Sequence, residues 1–184
     1  MNWVAFFSQT GSEIVELSKA LGRKPNLIVT NNSEDKVKFN AGLRKLDVTF
    51  QSGHHDIMMG YFRHQTLLSP QKTLITLHGY LRILPEDICK KYNILNGHPG
   101  LITTYPELKG KDPQVRAWEG KYPLVGSVVH KVTPEVDEGE IISSVAYSNR
   151  SESLDELYGL LRRSSLESWM WVLRGKKDLG CELV

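Results

Sequence analysis

An asparagine and a histidine two positions apart, Asn96 and His98, follow a short apolar stretch. Side chains two apart in an extended chain share one face at a spacing of ~6.6 Å. A carboxamide donor beside an imidazole, whose ordinary pKa is about 6.5, can stabilise an oxyanion and move a proton. Pro99 and Gly100 end the strand, which places both side chains at its mouth. The same pattern is also typical of a turn with a hydrogen-bonded histidine.

An acidic stretch between two later strands carries the next candidate. Residues 133–140 read Thr-Pro-Glu-Val-Asp-Glu-Gly-Glu, with Asp137 at the centre. Close to His98, this carboxylate would orient the imidazole and raise its pKa. Acidic turns that close on glycine are common and solvated, so a plain surface turn is the alternative.

A turn of small residues, Ser-Gln-Thr-Gly-Ser-Glu at 8–13, links the first strand to the first helix. Its backbone N–H groups and the positive helix end could hold an anion. Neither GxGxxG nor GxxxxGK[ST] occurs there, so a dinucleotide or Walker-type site is not supported. The alternative is a simple turn in which Ser12 caps the helix.

Alternating strands and helices are predicted to position these residues. Apolar runs predict strands at 3–7, 27–30, 47–50, 73–77, 93–96, 127–132 and 140–147. Helical spacing predicts helices at 12–21, 36–46, 54–67, 112–119 and 153–174, with Gly22 ending the first. Such alternation indicates a doubly wound α/β sheet, whose ligand crevice lies at the carboxyl ends of the strands.

Composition narrows the class of protein. The 184 residues suit one domain, residues 1–184, and the net charge of +2 is far from that of a dedicated nucleic-acid binder. Cys89 and Cys181 form no CxxC or metal-ligand spacing, which favours a reduced cytoplasmic location and no metal site. The sequence has no signal-like apolar run and no apolar run of membrane-spanning length, so we expect no membrane location. A small molecule is the expected partner.

Three segments together resemble the folate-dependent formyltransferase family, most closely its glycinamide ribonucleotide (phosphoribosylglycinamide) formyltransferases. Residues 79–84 are similar to the family's Gly-Phe-Met-Arg-Ile-Leu, and residues 96–102 to its Asn-Ile-His-Pro-Ser-Leu-Leu. Residues 136–142 are similar to its Val-Asp-Ala-Gly-Gln-Ile-Ile. The resemblance implies a Rossmann-like formyltransferase fold, with a mostly parallel central sheet flanked by helices.

The resemblance also implies the chemistry and the site. The donor would be 10-formyltetrahydrofolate and the acceptor a primary amine of a small molecule, without a metal; a homodimer is compatible with this family. Asn96 would bind the oxyanion, His98 would move protons, and Asp137 would hold His98. Folate binding would fall on Leu81, Arg82, Ile83, Leu84, Lys131, Val132, Thr133, Pro134 and Glu135. Acceptor binding would fall on Thr10, Gly11, Ser12, Glu13 and Glu167.

Departures from the family pattern concern the acceptor. Glu13 stands where the family has an asparagine beside the substrate phosphate, and a carboxylate there repels a phosphate. The family's acceptor arginine has no counterpart at 52–56, and Glu167 lies about two positions out of register. Glycinamide ribonucleotide, an amino sugar and another amine therefore remain alternatives, as does an inactive folate-binding module. The hydrolases and tRNA-acting relatives of the family carry added domains, which we do not expect in a chain of 184 residues.

Overall fold

The computed structural model describes residues 1–32 and 41–174. Their contacts form two compact units. Unit 1 comprises Met1–Asn96 and Lys131–Gly139, and unit 2 comprises Gly97–His130 and the described part of Glu140–Val184. The single domain expected from the sequence stays a prediction.

Five parallel strands of the described residues build the sheet of unit 1, the last of them ending in two residues of unit 2: β1 (Asn2–Phe7), β2 (Leu27–Thr30), β3 (Thr49–Ser52), β4 (Thr73–Leu77) and β5 (Asn93–His98). Their order is β3-β2-β1-β4-β5, and every pair from β3 to β5 is parallel. The chain therefore winds outwards from β1 in one direction and then, after β3, returns to wind in the other. In such a sheet the switch point lies between β1 and β4, where ligands bind at the carboxyl ends of the strands.

The α-helices in the described part of unit 1 are α1 (Ser12–Leu21), α2 (Ala41–Lys45), α3 (His55–His64) and α4 (Glu86–Lys91). Every residue of β1 from Trp3 to Phe7 is buried, so both faces of this strand are covered. On one face Val4 and Phe6 pack in a cluster with Phe62 of α3 and Ile88 of α4. Burial on both faces explains why β1 is a continuous apolar run and not an alternating one.

Unit 2 contains an antiparallel pair, β6 (Leu124–Lys131) with β7 (Ile141–Ser148), and the helices α5 (Pro113–Glu119) and α6 (Leu154–Arg174). Its core joins Val128 of β6 to Leu157 and Leu161 of α6. The Ser127 hydroxyl donates to the Leu161 carbonyl at 3.1 Å, which satisfies a buried polar group. With five parallel strands and one antiparallel pair, the predicted α/β class with a mostly parallel sheet flanked by helices is confirmed.

Several local expectations were wrong or incomplete. Gly11, not Ser12, is the N-cap of α1, because the chain turns into the helix through a left-handed residue with φ 68°. Helix α4 was missed, since only two of its six residues are apolar. Strand β3 lies two residues later than predicted. The expected helix at 36–46 falls partly outside the described residues, where α2 covers its end. No helix in the described ranges is long and apolar enough to cross a membrane.

Candidate functional site

Ser8 ties together three strand ends at the switch point. Its N–H donates to the Gly79 carbonyl at 3.2 Å, just beyond β4. Its hydroxyl accepts from the N–H of Leu81 at 2.8 Å and donates to Oδ1 of Asn31, which follows β2, at 2.5 Å. The first loop and the segment after β4 are therefore held in a fixed relation by one small side chain.

The carboxylate of Glu13 is occupied by a buried histidine. His78 Nδ1 lies 2.7 Å from Glu13 Oε2, and because a carboxylate accepts, the ring donates. His78 Nε2 lies 2.8 Å from Oγ1 of Thr76, which also accepts from Nε1 of Trp3 at 2.8 Å. Glu13 retains 27 % of its side-chain exposure, so its charge is partly turned into the protein.

The other predicted acceptor residues of the first loop bond to one another. The hydroxyls of Thr10 and Ser12 lie 2.8 Å apart, and the N–H of Ser12 donates to Thr10 Oγ1 at 3.3 Å. Gly11 has φ 68°, and a Cβ there would lie 2.6 Å from Cδ1 of Leu43. The positive φ favours a glycine at this position, and a side chain there would also displace Leu43.

Glu167 lies in unit 2 and is engaged on the surface of α6. Its Oε2 accepts from the Tyr147 hydroxyl at 2.5 Å, and its Oε1 accepts from Nε of Arg163 at 3.0 Å. These partners hold the pKa of Glu167 below its usual value, the Tyr147 hydrogen bond most of all. Both carboxylates predicted to meet the acceptor, Glu13 and Glu167, thus have partners within the protein.

The segment after β4 presents apolar side chains to solvent. Leu81 is 63 % exposed and Ile83 is 69 % exposed, whereas Leu84 is buried and offers a ligand no side chain. Arg82 lies between the two exposed residues and lines a cleft of ≈ 220 Å³. The remaining lining residues are Asn31, His54, His55 and Asp56.

His55 braces this segment, a role that sequence reasoning did not assign. Its Nδ1 lies 2.9 Å from the Tyr80 hydroxyl, and its ring also bonds to the backbone of Ile83. Burial lowers the pKa of His55, and Asp56 opposes that change. Burial also raises the pKa of Tyr80. The contact with Tyr80 and the bond to Ile83 hold the segment at two points.

Strand β5 extends through the predicted Asn-x-His pair, ending at His98. Asn96 is half-buried and His98 is 5 % exposed. His98 Nε2 lies 2.9 Å from the Leu108 carbonyl. A Cβ on Gly97, the residue between the pair, would lie 2.6 Å from Nε1 of Trp169. In unit 2 the indole thus occupies the space that a side chain at position 97 would fill.

The acidic loop of unit 1 is anchored on the strand that carries Asn96. The N–H of Val132 donates to the Ile94 carbonyl at 2.9 Å. A Cβ on Gly139 would lie 1.9 Å from the Lys131 carbonyl oxygen, so the loop closes by direct backbone contact. Asp137 sits near its tip with φ 56°, half-buried.

The predicted folate residues of this loop differ in exposure. Lys131, Pro134 and Glu135 are exposed, whereas Val132 and Thr133 are half-buried. The Thr133 hydroxyl donates to the Glu135 carbonyl at 3.0 Å, which stiffens the turn. Within the described ranges, no cluster of His, Cys, Asp or Glu is arranged to hold a metal ion.

Comparison with known proteins identifies the class. Residues 63–164, more than half of the chain, match the protein family described as formyl transferase, and the chain belongs to this family. It is 27 % identical over 168 residues to a formyltetrahydrofolate deformylase of Bacillus subtilis, covering 86 % of this chain and 51 % of that protein. It is 37 % identical over 71 residues to the human trifunctional purine biosynthetic protein adenosine-3, covering 38 % of this chain and 7 % of that protein.

A solved structure supports the fold. The phosphoribosylglycinamide formyltransferase of Streptococcus pneumoniae TIGR4 matches with a TM-score of 0.78 at 19 % identity, covering 94 % of this chain and 97 % of that one. At this identity the match concerns the fold alone. The chain spans about half the length or less of the curated relatives that it matches.

Proposed function

We propose that the protein transfers a formyl group from 10-formyltetrahydrofolate to a primary amine of a small molecule. The observation that carries the proposal is β5 itself, which ends in Asn96 and His98 in a chain of the formyl transferase family. A donor amide and an imidazole are the two groups that acyl transfer between nitrogens requires.

The transfer balances without a metal or a covalent enzyme intermediate. The acceptor nitrogen attacks the formyl carbon, and the carboxamide N–H of Asn96 donates to the developing oxyanion. The bond from carbon to N10 of the folate then breaks, and His98 carries a proton from the attacking nitrogen to N10. The products are an N-formyl amine and tetrahydrofolate. Asp137 is proposed to orient His98 in this step.

The folate is proposed to lie on the segment after β4. Leu81 and Ile83 expose large apolar side chains there, as expected of a surface that an aromatic ligand covers. Val136, on the anchored acidic loop, is also exposed. Backbone groups of both segments would read the polar edge of the pterin.

The polar groups of unit 1 bear on which amine is the acceptor. Because Glu13 is bonded to His78, its carboxylate is less available to attract a cationic amino sugar than the sequence alone suggested. The cleft beside Arg82 contains cationic or ionisable groups in Arg82, His54 and His55, and one carboxylate in Asp56. These groups suit an amine acceptor that also carries an anionic group, and glycinamide ribonucleotide is one such molecule.

A second candidate is hydrolysis of 10-formyltetrahydrofolate to formate and tetrahydrofolate. The match to the deformylase of Bacillus subtilis over most of this chain favours it. The same Asn96 and His98 would serve, with water replacing the amine as the attacking group.

One experiment separates these functions. Tetrahydrofolate, N-formyl product and free formate are each quantified after incubation with 10-formyltetrahydrofolate, with a panel of amines and with none. Transfer predicts tetrahydrofolate in equal amount to N-formyl product, only when an amine is present. Formate released at the same rate without any amine supports the hydrolase. Folate binding without turnover in every case overturns both and leaves a binding module.

A further inference from the structure

One arginine of unit 2 gathers the carbonyl groups of the loop that follows β5. Arg116, on α5, lies with Nη2 at 2.8 Å from the carbonyl oxygens of Lys109 and Lys111. Nη2 is also 3.2 Å from the Leu108 carbonyl, and Nη1 donates to the Glu107 carbonyl. A guanidinium suits this task, because its N–H groups form a rigid, planar fork and none of them accepts.

The Leu108 carbonyl that Arg116 holds also meets His98. His98 Nε2 lies 2.9 Å from this oxygen. Since a carbonyl oxygen only accepts, Nε2 carries the hydrogen in both the neutral and the protonated ring. The nitrogen of His98 that gains or loses a proton is therefore Nδ1.

We infer that Arg116 is a positioning residue for His98. By fixing the Leu108 carbonyl, it sets the tautomer and the orientation of the imidazole, so that the proton of the reaction moves at Nδ1. The inference rests on the proposed function for its kinetic consequence, because there His98 carries the proton. The tautomer itself follows from the contacts within unit 2 alone.

A purely structural role for Arg116 makes a different prediction, and the chain supplies a matched control. The Tyr122 hydroxyl donates to Oε1 of Glu107 at 2.7 Å, so it braces the same loop through a side chain and not through the Leu108 carbonyl. Tyr122→Phe removes that brace without changing the acceptor of His98. Arg116→Ala removes the carbonyl clamp, and Arg116→Lys keeps the charge with a donor that cannot span four carbonyls.

The test compares these three variants with the parent protein in two measurements. In ¹⁵N-labelled protein, the ring nitrogens of His98 are expected to show protonated Nε2 in the parent and in Tyr122→Phe. Arg116→Ala is expected to show a mixture of the two tautomers. In the formyl transfer assay, Arg116→Ala should lower kcat ~10-fold with little change in KM, a part of the 10²–10⁴-fold typical of a general acid–base group. Arg116→Lys should fall between.

Two results overturn the inference. One is an unchanged His98 tautomer in both Arg116 variants while each remains folded by circular dichroism. The other is a loss of kcat in Tyr122→Phe as large as in Arg116→Ala, because loosening of the loop alone would then explain both. If the parent protein transfers no formyl group, the proposed function fails, whereas the nitrogen spectra still decide whether Arg116 positions His98. If Arg116→Ala does not fold, Arg116→Lys decides by the same two measurements.

Discussion

The first loop and the segment after β4 lie at the same switch point of the unit 1 sheet, but they differ in what satisfies them. In the first loop, Glu13 bonds to His78, and the hydroxyls of Thr10 and Ser12 bond to each other. After β4, Leu81 and Ile83 stand open to solvent. The polar side chains of the first region have partners within the protein, one of them being His78 directly after β4, whereas Leu81 and Ile83 leave apolar surface that a ligand would cover. We therefore expect a ligand to bind at the segment after β4 rather than at the first loop.

The largest effect on stability is expected when the contact between Glu13 and His78 is removed. His78→Ala removes the donor to Glu13 and the partner of Thr76, and hydrogen bonds to charged groups contribute ~1.5–3 kcal/mol. The free energy of unfolding in urea should therefore fall by about 2–3 kcal/mol. His54→Ala is the matched control, because its ion pair with Asp56 is long and exposed. Equal losses of unfolding free energy in the two variants would show that the pair of His78 and Glu13 contributes no special stability.

The next effect concerns the close packing of Gly97. Gly97→Ala places a methyl group against the indole of Trp169, and overpacking costs ~1–3 kcal/mol. Because position 97 joins Asn96 to His98, turnover should fall ~10-fold or more. Trp169→Phe makes room, so the double variant should recover much of that loss. Gly159→Ala on α6, where a Cβ meets nothing within 4 Å, is the control. A double variant slower than Gly97→Ala would contradict the packing argument.

A smaller effect is expected at the exposed segment after β4. Replacing Leu81 and Ile83 together by serine removes apolar area that the folate would bury, with each side chain contributing at most ~1.5–3 kcal/mol. The affinity for 10-formyltetrahydrofolate, measured by calorimetry, should fall about 10-fold. The melting temperature should stay unchanged. Leu67→Ser, at an apolar residue of unit 1 that is 86 % exposed, should change neither. Unaltered affinity in the double serine variant would show that the folate does not bind on Leu81 and Ile83.

The smallest expected effect is a pH dependence of His55, whose ring contacts Tyr80 in the segment after β4. Burial lowers the pKa of His55, so its ring should titrate by NMR below the ordinary value of about 6.5. The unfolded chain then takes up the proton first. The contribution to stability is therefore present above the ordinary pKa and is lost as pH falls through the folded one. Arg82→Gln should raise the pKa of His55, because Arg82 lowers it. A lower pKa in that variant would contradict this assignment.

Much of the unit 1 sheet could be predicted from the sequence because β1, β2 and β4 bury most or all of their side chains and β5 buries its apolar pair, Ile94 and Leu95. Such strands read as short apolar runs regardless of their neighbours. Strand β3 has no fully buried residue, and its prediction was two residues out. The six-residue α4 is too short to show a helical period.

The partners of the predicted site residues could not be predicted from the sequence. Glu13 and His78 are 65 residues apart, and nothing in either segment indicates the other. The indole of Trp169 over Gly97 also joins residues that are far apart in sequence. A motif encodes which group is present, whereas the fold decides which groups it meets. The catalytic roles of Asn96, His98 and Asp137 stay predictions.

The most direct test of formyl transfer through β5 is a single-turnover measurement of tetrahydrofolate formed from 10-formyltetrahydrofolate, in the parent protein and in His98→Ala. With an accepted amine, the parent should convert the donor, and His98→Ala should be slower by ~10²-fold or more with folate affinity retained. Equal rates in the two proteins would contradict the role of His98 at the centre of the account.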